Sequence, residues 1–303
     1  MTTAAHPASW LTGVIADLPT PFSVDGAVDL PAFANLCQRQ IAAGASAIVV
    51  SETAGEASTL APLEQDSIIR TAVEIAHGRT RVIAGVTPNA TSKAIALARQ
   101  AKAAGAHAIL SVVPYYNRPM QSGIEEHFSA IADATDLPII LHDVPARTNR
   151  DLADVTLVRL AQSRRFIGLR DATGDVARPA RLRSRLPTGF RLLSGDDATA
   201  LGFIASGGDG SISMIANVAP GLCRGIFACC RQDNWQAARA LHKRLVPLEA
   251  LVSREGVPAL KTALSRLGLM QPDLRLPLVE PEAAVAREIA SAVAAIVEQD
   301  LAA

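Results

Sequence analysis

The chain has 303 residues, of which 49% are hydrophobic, 19% are charged and 4% are aromatic, and its formal net charge at pH 7 is zero. A chain of this length can form one large core, alone or with a small appendage. Because it has no basic excess and few aromatic side chains, we expect no binding to nucleic acid. No stretch reaches the roughly 18 uninterrupted apolar residues of a membrane span, so we expect no membrane association either.

The four cysteines form no disulfide or zinc pattern. Cys37 stands alone, and Cys223, Cys229 and Cys230 fall on one predicted helix, without a CxxC pair or suitably spaced histidines. This usage favours reduced, incidental thiols. The segment Met1–Trp10 has no basic patch followed by an apolar run, so no signal peptide is predicted. We therefore expect a cytoplasmic protein that uses neither a metal nor another cofactor.

Eight short apolar runs alternate with Ala-rich stretches of helical periodicity. The runs are Gly13–Leu18, Ala47–Val50, Arg81–Val86, Ala108–Val113, Pro138–Leu141, Phe166–Arg170, Phe190–Leu193 and Gly210–Ser213. Most carry apolar residues on both faces, as strands of a buried parallel sheet do. The intervening stretches Pro31–Ala43 and Ser92–Ala104 have the spacing of one-sided helices, and each is followed by a glycine that favours a helix end.

Eight strands alternating with helices over about 215 residues predict an α/β fold, a (β/α)₈ TIM barrel. The alternative is a doubly wound open sheet, but no Gly-rich phosphate fingerprint follows the first strand. After Ser213 the pattern becomes helical, and a C-terminal appendage of three helices is predicted over Trp235–Ser253, Pro258–Leu267 and Pro281–Glu298. We therefore expect a barrel over residues 1–230 and a C-terminal helical region over residues 231–303.

Six short motifs follow or end predicted strands, where a (β/α)₈ barrel places its chemistry. They are Thr20-Pro21-Phe22, Thr53-Ala54-Gly55-Glu56, Pro114-Tyr115-Tyr116-Asn117, Val144-Pro145-Ala146-Arg147-Thr148, Gly168 to Gly174, and Ser194-Gly195-Asp196-Asp197. In this order the motifs resemble the dihydrodipicolinate synthase and N-acetylneuraminate lyase family, over about Thr12 to Leu278. The tyrosine motif and the helical tail are most similar to the dihydrodipicolinate synthase branch.

The resemblance implies a lyase whose lysine forms an imine with pyruvate or another small 2-oxo acid, in a homodimer or homotetramer. By position it places the imine-forming lysine on Arg170, the proton-relaying tyrosine on His142, the threonine pair on Thr53 and Ala54, the neighbouring subunit's tyrosine on Tyr116, the carboxylate-binding arginine on Arg147, and a backbone carbonyl contact on Ile212.

The reaction centre departs from the family at four of its positions. Arg170 replaces the lysine, His142 the tyrosine, Ala54 the second threonine, and Glu52 a glycine that usually precedes the threonines. A guanidinium stays protonated and cannot form an imine. The chain's lysines, Lys93, Lys102, Lys243 and Lys261, all fall in predicted helices and not at strand ends. We therefore expect no imine chemistry.

Each candidate residue has a structural alternative. Arg170 is either a cation that fills the barrel or an anion-binding group, and in either case it needs a partner, for which we expect Glu52 ahead of Asp171. His142 is either a packed, hydrogen-bonded histidine or a general acid–base group. Thr53 either caps its loop or relays protons, and Arg147 forms a surface ion pair or binds a carboxylate.

Three functions follow from this sequence. The first is a diverged lyase or hydro-lyase that acts on a small oxo or hydroxy carboxylic acid without an imine. The second is a pseudoenzyme that binds a ligand or regulates a partner. The third is a synthase disabled by design, which four clustered substitutions argue against. An acid–base role requires His142 to face an open cavity that contains Arg170, whereas decay predicts a filled one.

Overall fold

Eight parallel strands close into a barrel in the computed structural model, which describes residues 8–301 and the side chains of residues 8–298. The strands are β1 Gly13–Asp17, β2 Ala47–Val50, β3 Arg81–Val86, β4 Ala108–Val112, β5 Ile139–Asp143, β6 Phe166–Asp171, β7 Arg191–Ser194 and β8 Gly210–Ser213. Each strand pairs with the next along the chain, and β8 pairs with β1. The predicted TIM barrel is therefore confirmed, and the open sheet is excluded. Residues 1–7, which form most of the segment for which no signal peptide is predicted, lie outside the described residues.

Helices cover the outside of the barrel and continue beyond it. They are α1 Leu30–Ala42, α2 Pro62–Ala76, α3 Thr91–Ala103, α4 Gln121–Ala134, α5 Pro145–Thr148, α6 Asp154–Leu160, α7 Arg178–Arg183, α8 Ala200–Ala205, α9 Pro220–Arg231, α10 Trp235–His242, α11 Val246–Glu255, α12 Val257–Arg266 and α13 Ala283–Leu301. The glycines after α1 and α3, Gly44 and Gly105, have positive φ angles, as the sequence pattern predicts for helix ends.

An apolar cluster fills the inside of the barrel and receives side chains from all eight strands. It contains Ile15, Ala47, Val49, Ile83, Ala108, Leu110, Ile140, Ile167, Leu193 and Ile212, together with Ala8 and Leu11 from the segment before β1. A second, larger cluster lies between the strands and the surrounding helices. Because the barrel interior is packed, a ligand has room above it, at the C-terminal ends of the strands, and not inside it.

The C-terminal region contains four helices, α10 to α13, where the sequence predicts three. The predicted helix Trp235–Ser253 is divided by a turn at residues 243–245, and Lys243 lies in this turn and not in a helix. Proline favours the first turn of a helix because it has no N–H to donate, and Pro247 is at the start of α11. None of the helices in residues 8–301 combines the length and the apolar character that crossing a membrane would require.

Candidate active site

Two cavities of about 320 and 330 Å³ lie side by side at the C-terminal ends of the strands. Thr53, Val144, Arg147 and Gly256 line both of them. The first cavity is also lined by His142 and Arg170, although neither side chain is more than 2% exposed, so the cavity borders the pair and leaves both residues almost fully buried. One wall of this cavity comes from α11, through Glu249, Val252 and Ser253, and the remaining lining residues are Ala146, Ala172, Thr173, Gly174, Gly195, Asp196, Asp197, Ala198, Met214 and Ile215.

Arg170 is buried between two carboxylates. Its Nη1 donates to Glu52 Oε2 at 2.7 Å and to Asp17 Oδ2 at 2.9 Å. The chain makes room for this side chain with Gly195, where a Cβ atom would lie only 2.9 Å from Arg170 Cγ. Glu52 is the partner expected from the sequence, but Asp17 is not. The alternative partner, Asp171, pairs with another arginine.

His142 lies beside Arg170, because the two residues are directly paired across β5 and β6. Its Nδ1 lies 2.8 Å from Glu52 Oε1, and its Nε2 is buried without a hydrogen-bond partner among the described residues. Burial lowers the pKa of His142 below its ordinary value, and the Arg170 charge acts in the same direction, against the effect of Glu52. A neutral His142 must donate from Nδ1 to the carboxylate, which leaves a lone pair on Nε2.

Glu52 holds this arrangement together, since it contacts both His142 and Arg170. Its Oε2 also accepts the backbone N–H of Thr53. Burial by itself would raise the pKa of Glu52, but His142 and Arg170 outweigh it and hold the pKa well below its ordinary value. The side chain is therefore ionised at neutral pH, with both oxygens occupied.

Asp17 is a site residue that sequence reasoning missed. It is the last residue of β1, it is fully buried, and its Oδ1 has no hydrogen-bond partner among the described residues. Burial raises the pKa of Asp17 from its ordinary value of 3.8 to about 7, although the Arg170 charge opposes this effect. The sequence contained one sign of this role, because Asp17 is the single acidic residue of the otherwise apolar predicted strand Gly13–Leu18.

A second arginine fixes the strand ends from the outer side of the barrel. Arg178 Nη1 lies 2.7 Å from Asp143 Oδ2 and 3.2 Å from Asp171 Oδ2. These two aspartates directly follow His142 and Arg170 in their strands and are paired with each other in register. Arg178 therefore holds the backbone that carries both inward-facing side chains.

Arg147 and Thr53 are the other predicted site residues that line the first cavity. Arg147 is exposed, and no ion pair links it to another side chain within residues 8–298. The predicted alternative of a surface salt bridge is therefore not observed. Ala54 is buried outside both cavities, and its backbone N–H points to Asp17 Oδ2 at 3.5 Å.

Two predicted residues lie away from the first cavity. Tyr116 is 91% exposed, with a positive φ of 70°, and its side chain lines neither cavity. Ile212 belongs to the apolar cluster inside the barrel. The Tyr116 side chain is therefore not brought together with His142 and Arg170 in the single chain, and the expected contact through the backbone carbonyl of Ile212 stays a prediction.

No lysine lines either cavity. The nearest to the second-strand loop is Lys261 on α12, which is fully buried, with its Nζ 2.5 Å from Glu56 Oε1 and 2.8 Å from the carbonyl oxygen of Asp273. Within the described part of the chain, no group of His, Cys, Asp and Glu side chains has the arrangement of a metal site. The buried cluster beside the first cavity contains one arginine, one histidine and two carboxylates: Arg170, His142, Glu52 and Asp17.

Comparisons with known proteins agree with this architecture. The dihydrodipicolinate synthetase family matches residues 10–299. The 4-hydroxy-tetrahydrodipicolinate synthases of Hyphomonas neptunium and Thiobacillus denitrificans are 47% and 49% identical, over 93% and 88% of this chain and 97% and 90% of their own.

Solved structures give the same result. Dihydrodipicolinate synthase from Aquifex aeolicus superposes with a TM-score of 0.90 at 35% identity, over 93% of this chain and 97% of that one. The chloride-inhibited enzyme from Acinetobacter baumannii, solved with pyruvate, superposes with a TM-score of 0.91 at 38% identity, over 94% and 99%. The chain belongs to the dihydrodipicolinate synthetase family.

Proposed function

We propose that this protein is a lyase or hydro-lyase that binds a small oxo or hydroxy carboxylic acid and moves a proton through His142 without forming an imine. The observation that carries the proposal is the Glu52–His142 pair, whose histidine lines the first cavity and whose glutamate lines the second. A carboxylate that holds Nδ1 fixes the imidazole and its tautomer, which is how general bases are commonly oriented.

The absence of an imine follows from Arg170, which occupies the position of the family's imine-forming lysine in the motif resemblance. Its guanidinium is held by Glu52 and Asp17 and remains a cation. Lys261 is the only buried lysine among the described residues, but Glu56 and the Asp273 carbonyl engage its amine. The protein is therefore proposed not to act as a dihydrodipicolinate synthase.

Carboxylate binding is assigned to Arg147, with Arg170 in a smaller role than the sequence suggests. Arg147 has no ion-pair partner within residues 8–298, whereas the charge of Arg170 is compensated by Glu52. A free guanidinium beside a cavity can bind a carboxylate through two parallel hydrogen bonds. Thr53 lies between the two cavities and can donate its hydroxyl to the same ligand.

A homodimer or homotetramer in the cytoplasm is part of the proposal. The exposed Tyr116 corresponds to the residue that a neighbouring subunit contributes in relatives, and ordering such an apolar side chain in a subunit interface removes it from water. Light scattering at micromolar concentration should give a dimer or tetramer. If the protein is instead a monomer in solution, Tyr116 cannot contribute to the site of a neighbouring subunit.

The alternative function is a pseudoenzyme, which one observation favours. Glu52 contacts both Arg170 and His142, so each of these two groups already has a charged partner inside the protein without a ligand. In this case the cavity serves binding or partner regulation, and no turnover occurs.

Two experiments test the proposal. Incubation with pyruvate and borohydride, followed by intact mass measurement, should give no adduct, and a stoichiometric adduct mapped to Lys261 or to any other lysine would contradict the no-imine reasoning. A thermal-shift screen of mono- and dicarboxylic acids should then identify the acids that bind.

Proton transfer is measured by NMR as the exchange of pyruvate methyl protons, and of the hits from the screen, in deuterated water. Because a positioned general base contributes roughly 10²- to 10⁴-fold, His142→Gln should slow the exchange at least about 100-fold. His77→Asn, at an exposed helix end with positive φ, is the matched control. Binding without exchange above the uncatalysed rate would establish the pseudoenzyme instead.

A further inference from the structure

Asp17 adds a fourth buried side chain to the cluster of Arg170, Glu52 and His142. We propose that Asp17 carries a proton in the resting protein, and that this proton keeps the cluster neutral while His142 stays uncharged and able to accept a proton from a ligand. The inference rests on the proposed function for its consequence in catalysis, but the protonation state itself can be measured without any ligand.

The hydrogen bonds show which carboxylate can hold the proton. Glu52 Oε1 contacts His142, and Glu52 Oε2 accepts from Arg170 and from the Thr53 backbone, so neither oxygen has room for a hydrogen of its own. Asp17 uses only Oδ2, toward Arg170 and the Ala54 backbone, and its Oδ1 is buried without a partner among the described residues. A proton on Oδ1 therefore disturbs none of these contacts.

The charge balance requires such a proton. Arg170 is the one permanent cation of the cluster, and none of the four side chains is more than 2% exposed. With both carboxylates ionised and His142 neutral, the cluster would carry an uncompensated buried negative charge, which costs several kcal/mol. Either Asp17 or His142 must therefore be protonated.

The surroundings favour Asp17 as the protonated group. The other charged groups that act on the cluster are Asp197, which acts on Arg170, and Arg147, which disfavours a cationic His142. Among the side chains of residues 8–298, the amide of Asn217, which is uncharged, is the one that donates to the backbone carbonyl of Asp17. The raised pKa of Asp17, with burial as its main cause, agrees with this distribution.

This proton has a defined consequence for the reaction. When a ligand C–H bond breaks, its proton goes to His142 Nε2, its electron pair stays on the ligand as an enolate, and the new imidazolium remains paired with Glu52. An ionised Asp17 would instead leave the resting cluster negative and favour a proton on His142 before the ligand arrives. His142 would then have no lone pair to act as a base.

Infrared difference spectroscopy tests the inference directly. The spectrum of the wild-type protein minus that of Asp17→Asn should contain one protonated-carboxyl band at pH 6 that is lost by pH 9. Burial also raises the pKa of Asp143 and Asp197, so Asp143→Asn and Asp197→Asn serve as matched controls that identify the bands of these two carboxyls and separate them from the Asp17 band. Absence of the band from the Asp17 difference spectrum at pH 6 would overturn the inference.

A second measurement uses the wild-type protein and does not depend on the folding of the Asp17 variant. Nitrogen-15 NMR of labelled histidine, assigned with His142→Gln, should show a neutral His142 imidazole protonated on Nδ1 at pH 6. An imidazolium at pH 6 would place the proton on His142 and contradict the inference. A neutral His142 with the Asp17 band present, but without exchange of ligand protons, would refute the proposed function and leave the protonation of Asp17 intact.

Discussion

Replacing Asp17 with asparagine should change how the stability of the protein depends on pH. The pKa of Asp17 is raised from 3.8 to about 7 because the folded protein buries it, so its ionisation favours the unfolded state. The folded wild-type protein carries no such penalty below pH 4, loses stability as the pH rises from 4 to 7, and loses no more above that range. The difference between the two pKa values corresponds to about 4 kcal/mol at most.

Asp17→Asn cannot ionise, and its side-chain oxygen can still accept from Arg170. The variant's stability relative to wild type should therefore increase by up to about 4 kcal/mol between pH 4 and pH 8, or roughly 6 °C in melting temperature for a chain of this length. Urea unfolding of both proteins across this pH range measures the difference, in which other titrating groups cancel. A difference that stays constant between pH 4 and pH 8 would show that Asp17 is ionised throughout and would refute the reasoning.

Three further outcomes are expected. Arg170→Met removes the cation from a buried ion pair and should lower the free energy of unfolding by about 3–5 kcal/mol. Adding Glu52→Gln to this variant should recover part of the loss, because the carboxylate is then no longer left unpaired. Fully additive effects of the two substitutions would show that the two residues are not coupled. Arg147→Ala should weaken binding of the tightest-binding acid from the thermal-shift screen about 10- to 100-fold, as measured by calorimetry. Arg164 is exposed at the other end of the barrel, and Arg164→Ala should leave binding of the same acid unchanged. Equal effects of the two substitutions would show that Arg147 is not part of the binding site. Arg178→Met should slow proton exchange about tenfold or more, because it releases the ends of β5 and β6. Arg178→Lys keeps the charge and should recover part of the exchange rate. Unchanged exchange in a folded Arg178→Met variant would limit Arg178 to a structural role.

The sequence was sufficient to predict the barrel, because buried parallel strands are continuous apolar runs whose positions do not depend on distant contacts. It also predicted the pairing of Arg170 with Glu52, because both follow or end strands and a buried guanidinium requires a carboxylate. The position of Asp17 in the cluster was missed, since it depends on which side of β1 faces the barrel interior. Arg178 was missed for a related reason: its partners come from two other elements, β5 and β6.

The contribution of α11 to the cavity wall could not be predicted from the sequence either. Its residues Glu249, Val252 and Ser253 show only helical periodicity, and nothing in that pattern states which surface the helix covers. The separation of α10 from α11 followed from Pro247, which the sequence contains but which is equally compatible with a kinked helix.

The position of α11 also bears on how such a protein can evolve. The acid–base cluster is carried by strands β1, β5 and β6 and by the loop after β2, whereas one wall of the cavity above it belongs to a helix more than 50 residues further along the chain than any of them. Substitutions at the α11 residues that line the cavity can therefore reshape the space offered to a ligand while the buried charges stay in register. The α11 wall and the buried charged cluster are encoded in separate stretches of the chain, so this wall can diverge under selection before the cluster has to change.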